Sequence, residues 1–201
     1  MTQKETSEQK RAQFKSRLIL ISIFAVGIIP LFIGLFLFYN PHYLSGKTTE
    51  RGELLSPPLD ARPWVGESDK WRIVLLAADE CLEECQQMIY FARQAHEALK
   101  EVWQRRVTRV ILIKDDIELP EAIIEGLAKQ SPPITSVYIS ERELNQLFGT
   151  KFDNLAEVTN NIFIVDPHGN LILRYQDVTS IKKAKEMLKD INHLLRASRI
   201  G

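Results

Sequence analysis

Neither sign of charge predominates in this chain, in which 26 Lys and Arg are balanced by 26 Asp and Glu. Without a basic surplus, nothing in the composition points to nucleic acid as a partner. Internal repeats and low-complexity tracts are missing as well, so the only divisions are an apolar run, a proline-bearing stretch and one long mixed segment. Cysteine is scarcer still: Cys81 and Cys85 are the 2 in 201 residues, and any thiol chemistry rests on that pair.

Charge is absent altogether from Leu18 to Tyr39, LILISIFAVGIIPLFIGLFLFY. A run of that length covers the ~30 Å hydrocarbon core of a lipid bilayer as one helix. Before it stand Lys4, Lys10, Arg11, Lys15 and Arg17 against Glu5 and Glu8, whereas the first cation after it is Lys47. By the positive-inside rule the amino terminus stays in the cytoplasm and everything after Asn40 is exported. A cleaved signal peptide would carry a shorter apolar region of about 7 to 15 residues ending in a small-x-small site. This run ends in Phe38-Tyr39-Asn40-Pro41, so we read an uncleaved anchor. The resulting division is a tail at 1–17, a transmembrane helix at 18–39, a linker at 40–65 holding Pro41, Pro57, Pro58 and Pro63, and one exported domain at 66–201.

Within that domain the signals alternate between β and α. Trp71 to Ala78 reads as a strand, Glu80 to Trp103 as a helix capped by Asp79, and Val107 to Lys114 as a second strand. Pro120 opens a helix to about Lys129, Ile134 to Ile139 is a third strand, and Ser140-Glu141-Arg142-Glu143 has the capping-box spacing of a short helix ending near Gly149. Asn161 to Val165 and Leu171 to Tyr175 flank the turn signal Asp166-Pro167-His168-Gly169-Asn170. Ser180 to Arg196 makes the last helix, with Ile181, Ala184, Leu188, Ile191 and Leu195 along one side. This order is that of an α/β, thioredoxin-like domain.

The cysteines lie in Asp79-Glu80-Cys81-Leu82-Glu83-Glu84-Cys85, between the first strand and its helix. At i and i+4 of a helical turn two thiols share one face with Cα atoms roughly 6 Å apart, within the reach of a disulfide. They can equally share one soft metal ion such as Cu(I). The bland readings are a structural disulfide or simple packing, because Cys81, Cys85, Met88, Ala92, Ala95, Leu99 and Val102 follow the core-facing pattern of an amphipathic helix. Asp79, Glu80, Glu83 and Glu84 disfavour a further negative charge, which weighs against thioredoxin-type reactivity and not against Cu(I).

The segment Lys70-Trp71-Arg72-Ile73-Val74-Leu75-Leu76 with Cys81 and Cys85 beyond it, together with the hairpin from Phe163 to Leu171, resembles the Sco family. Its members are membrane-anchored thioredoxin-fold proteins that carry copper to cytochrome oxidase. Gly52-Glu53-Leu54-Leu55-Ser56-Pro57-Pro58 and the anchor-then-CxxxC layout are similar to small bacterial membrane proteins encoded among cytochrome c oxidase assembly genes. The resemblance implies a Gram-negative inner-membrane protein with a periplasmic domain, assisting cytochrome c oxidase assembly with an oxidase subunit or assembly factor as partner. Cys81 and Cys85 would then act as a redox pair or as copper ligands.

Against the Sco pattern, Leu82 stands where that family has proline and Val158 where it has the third copper ligand, a histidine. Neither Cys-x-x-Cys nor a proline ahead of the hairpin strand is present, Thr159-Asn160-Asn161 occupying that place. His42, His96, His168 and His193 read as surface or turn residues, and Met88 as core. A reading of a different class is a non-catalytic interaction protein whose cysteines form only a structural clip.

Overall fold

The computed structural model describes residues 2–40, 51–78 and 81–198, in two compact units, 1–49 and 50–201. The first is a single helix, α1 (Thr2–Tyr39), in which Ile19–Tyr39 is long and apolar enough to cross a membrane. Ser22 hides its hydroxyl there by donating to the Ile19 carbonyl at 2.8 Å. Asn40 closes the helix, its backbone and side-chain N–H groups both donating to the Phe36 carbonyl at 3.0 and 2.9 Å.

The second unit is built on a six-stranded mixed sheet of order β1-β6-β5-β2-β3-β4. β2 (Trp71–Ala77) and β3 (Val107–Lys114) pair in parallel, and β4 (Thr135–Ile139) continues the parallel set on β3. β5 (Asn161–Val165) runs antiparallel to β2, and β6 (Asn170–Gln176) antiparallel to β5. The hairpin turn between them is as expected. Gly169 adopts φ +84°, its N–H donates to the Asp166 carbonyl at 3.0 Å, and the Asp166 carboxylate accepts the Asn170 N–H at 2.8 Å.

Every residue of β2 is buried because helices cover both faces of the sheet. Trp71, Ile73, Leu75 and Ala77 face α3 (Glu83–Glu97) and α7 (Ile181–Ala197), while Val74 and Leu76 face α6 (Glu141–Phe148). α6 starts with the expected capping box of Ser140 and Glu143. α5 (Glu121–Ala128), with Pro120 at its N-cap, places Leu127 in the same cluster as α3. Along α7 the pattern differs at one position: Ile181 is exposed, and Met187 fills the core.

Three segments depart from the sequence reading. Residues 53–65, expected as linker, carry β1 (Glu53–Asp60), antiparallel to β6 at the sheet edge, and the one-turn α2 (Arg62–Val65). The ladder pairs at Glu53, Leu54, Leu59 and Asp60 and is interrupted between Leu54 and Leu59, where Pro57 and Pro58 have no N–H to give. Residues 41–50 of that expected linker, with His42, lie outside the described residues. The second departure is that the helix expected to Trp103 stops at Glu97 and restarts as α4 (Glu101–Gln104). The Gln104 side chain takes up the freed carbonyls of Glu97 and Leu99 at 2.9 and 2.8 Å, and Val102 turns outward to solvent.

The third departure bears on the site. α3 begins at Glu83 with Leu82 in the N-cap position, three residues later than an Asp79 cap requires. Asp79 and Glu80 lie outside the described residues. The start is displaced because Cys81 belongs to the β2–α3 connection, leaving only Cys85 in the first helical turn.

Candidate thiol–disulfide site

Cys81 and Cys85 are joined by a disulfide, with Cα atoms 5.0 Å apart. β2 delivers Cys81 at the carboxyl end of the sheet, and the first turn of α3 presents Cys85 to it. The connection is pinned from within the helix: Gln86 donates its side-chain amide to the Cys81 carbonyl at 3.2 Å and its backbone N–H to the Leu82 carbonyl at 3.1 Å. Both sulfurs join the core cluster under α3, beside Met88 and Leu119. They are not equivalent. Cys85 has no exposed surface, whereas Cys81 keeps 3% and lines a cleft of about 420 Å³ with Leu82, Asp116, Ile117, Glu118 and Pro120.

The β3–α5 loop supplies the far wall of that cleft. Sequence reasoning passed over these residues, although parallel pairing of β2 with β3 makes the loops after the two strands neighbours at the carboxyl end. Asp115, Asp116 and Glu118 are exposed there, as are Glu83 and Glu84 in the first turn of α3. The Lys114 ammonium bonds to Asp116 at 3.0 Å and to Glu141 at 3.3 Å, and these carboxylates, Asp116 foremost, raise its pKa. The lining therefore combines apolar surface, at Leu82, Ile117 and Pro120, with the carboxylates of Asp116 and Glu118.

The segment before β5 closes the same end of the sheet. Asn160, at φ +53°, donates its N–H to the Leu76 carbonyl at 3.0 Å, just ahead of the connection that carries Cys81. Its side-chain oxygen is buried without a hydrogen-bond partner. The loop leading to it is fixed by Arg174, whose guanidinium donates to the Glu157 carbonyl and lies 4.7 Å from the Phe152 ring centroid. Asn161 donates to the same carbonyl at 2.7 Å.

The other residues weighed for a metal lie elsewhere. Val158 is fully buried in the cluster on the α6 face of the sheet, opposite to the one that holds the cysteines. His96 donates its Nε2–H to the Val107 carbonyl at 2.9 Å, at the start of β3 and so at the other end of the sheet from Cys81. Burial holds its pKa below the ordinary histidine value. His168 sits in the β5–β6 turn, also at that other end, and His193 is exposed on α7. Met88 is 1% exposed within the core. Among the described residues no group of three or more His, Cys, Asp or Glu is arranged to hold a metal ion. The donor set does not fit a copper centre of two cysteines and a histidine: the sulfurs are bonded to each other and the third position is an apolar core residue.

A mixed sheet with helices on both faces and a disulfide between its central strand and the following helix defines a thioredoxin-like protein. Residues 71–198 match the family model for the transmembrane-like, thioredoxin-like, C-terminal domain, and the chain belongs to that family. Among solved structures it is similar to apo Sco1 from Thermus thermophilus, at 21% identity and a TM-score of 0.53 over 75% of this chain and 99% of that one. Yeast Sco1 with copper bound is similar at 13% identity and a TM-score of 0.52, over 76% of this chain and 96% of that one. No curated protein matches the chain. These likenesses extend to the fold.

Proposed function

We propose that this is a membrane-anchored thiol–disulfide protein that assists cytochrome c oxidase assembly, its domain lying in the periplasm of a Gram-negative bacterium. One observation carries the proposal: the Cys81–Cys85 disulfide sits at the carboxyl end of the sheet, and Cys81 lines a cleft there. In thiol–disulfide exchange a partner thiolate attacks the Cys81 sulfur, the bond between the cysteines breaks, and Cys85 leaves as a thiolate that takes a proton from solvent. A second partner thiol then displaces Cys81. The partner gains a disulfide and the pair is reduced by two electrons; run backwards, the same steps reduce a partner. The oxidase setting is supported by the resemblance to Sco proteins and to small membrane proteins encoded beside oxidase assembly genes. Exchange is favoured over copper handling because the two sulfurs are bonded to each other and, among the described residues, no third donor joins them in a group that could hold a metal ion.

The test is a strain in which the chain is replaced by its Cys81→Ser/Cys85→Ser variant. Oxidase activity should fall, and alkylation of the parent in cells should reveal both oxidised and reduced forms. Full oxidase activity without either cysteine would remove this proposal and leave the non-catalytic interaction protein in its place.

A further inference from the structure

The cleft beside Cys81 has a charge that the exchange reaction itself must overcome. The attacking group is a thiolate, and it has to approach Cys81 through a cleft that Asp116 and Glu118 also line. Exposed Asp115 adjoins Asp116 in the chain, and exposed Glu83 adjoins Leu82, which also lines the cleft. Lys114, the cation at this loop, is held between Asp116 and Glu141. An anionic thiol is therefore repelled at the point of attack, and small carboxylate-bearing thiols are disfavoured as reductants. A thiol flanked by cations reverses the sign of the encounter. The apolar lining adds a second requirement: Leu82 is 66% exposed, and with Ile117 and Pro120 it offers apolar surface in the cleft that Cys81 lines.

We propose that the partner whose thiol meets Cys81 is an extended polypeptide segment with basic side chains flanking its cysteine and apolar ones against Leu82. The proposal rests on the exchange reading above and deepens it. The disulfide and its cleft are the site; Asp116 and Glu118 determine which thiols reach it. The chemistry is unchanged: the peptide thiolate bonds to the Cys81 sulfur, Cys85 leaves as a thiolate and is protonated, and a second peptide thiol resolves the mixed disulfide.

The experiment uses the full chain in nonionic detergent micelles and two single-cysteine peptides of equal length, one with lysines and one with glutamates flanking a Leu-Cys-Leu centre. Rates of reduction, read by mass spectrometry after alkylation, are normalised to each peptide's rate on a neutral small-molecule disulfide. The basic peptide should react roughly tenfold faster or more at low salt. That preference should shrink toward unity at ~1 M salt, where the screening length is ~3 Å. It should shrink likewise in Asp116→Asn/Glu118→Gln, a variant that 2-mercaptoethanol, whose attacking thiolate is itself an anion, reduces somewhat faster than the parent. Equal rates for the two peptides, or a preference that survives in the variant, would overturn the selectivity and leave exchange standing. Reduction by neither peptide would overturn the exchange reading and this proposal with it.

Discussion

Asp190 is the buried carboxylate through which α7 holds the start of the domain, and its replacement should loosen β1 before anything else. The side chain is 2% exposed and its Oδ2 accepts three hydrogen bonds: from the backbone N–H of Arg51 at 2.7 Å, from that of Gly52 at 3.1 Å and from the Tyr175 hydroxyl at 2.8 Å. Oδ1 takes the Arg51 guanidinium at 3.2 Å. Gly52 is required by the same packing, since a Cβ there would come within 2.6 Å of the Tyr175 ring. Asp190→Ala takes this acceptor from two backbone donors and a hydroxyl, at about 1–3 kcal/mol each, and breaks an ion pair whose Arg51 end is 43% exposed and adds little; about 4 kcal/mol in all is the expected cost. Tyr175→Phe removes one donor and should cost about 1 kcal/mol. Both replacements remove the same Tyr175–Asp190 hydrogen bond, so the double variant should cost about 1 kcal/mol less than the sum of the two. Urea unfolding of the full chain in micelles measures the cycle, and hydrogen exchange should show the β1 amides opening ahead of those of β2 and β3. A loss below 1 kcal/mol for Asp190→Ala, or strict additivity, would refute the clamp.

Reduction of the disulfide should lower stability by only about 2 kcal/mol, the chain-entropy value for a loop this short, checked by unfolding with and without a strong reductant; a loss twice that size would mark a structural staple. His96 donates Nε2–H to a buried carbonyl and has no partner on Nδ1, so a proton there is taken up more readily by the unfolded chain. Its lowered folded-state pKa makes its contribution full above pH 6.5 and lost as pH falls from 6.5 toward that lower value. His96→Gln should flatten the decline in unfolding free energy between pH 7 and 5, and an unchanged slope would assign the decline elsewhere. Val158→His should destabilise by about 3 kcal/mol by burying an imidazole in the cluster under α6, with no gain in Cu(I) uptake by the reduced chain; tighter copper binding would contradict its placement there. A phosphatase reporter fused after Glu50 should be active outside the cytoplasm, and activity of a cytoplasmic-only reporter at that junction would reverse the topology.

The parts of the fold legible in the sequence are those whose signals are local. β2 and β3 are apolar runs long enough to need both faces covered, α6 carries its own capping box, and Asp166 to Asn170 spell their turn. β1 was hidden because Ser56-Pro57-Pro58 looks like linker, and only its two ends pair, with a partner more than a hundred residues away in the chain. The break after Glu97 was hidden because the apolar stripe runs on through Leu99 to Val102; the carbonyls freed at the break are taken up by the Gln104 side chain, which the fold brings there. The cysteine pair stood out by scarcity and spacing. The carboxylates of Asp116 and Glu118 in its cleft did not, because nothing in the chain says that the loop after β3 faces Cys81 until the two strands are laid side by side.

The prolines of β1 have a consequence for the anchored state proposed above. Copies held in a membrane by Ile19–Tyr39 would be confined to a plane, where encounters between neighbours are far more frequent than for the same number of molecules free in solution. An open sheet edge in such a crowd is a template on which the next copy can add its own strand. Here one margin of the sheet is blunted in its middle by Pro57 and Pro58, which offer no N–H to an incoming strand, and the other is β4, a strand of only 5 residues that follows Pro132 and Pro133. The chain can therefore be densely packed beside its own kind without its sheets growing into one another.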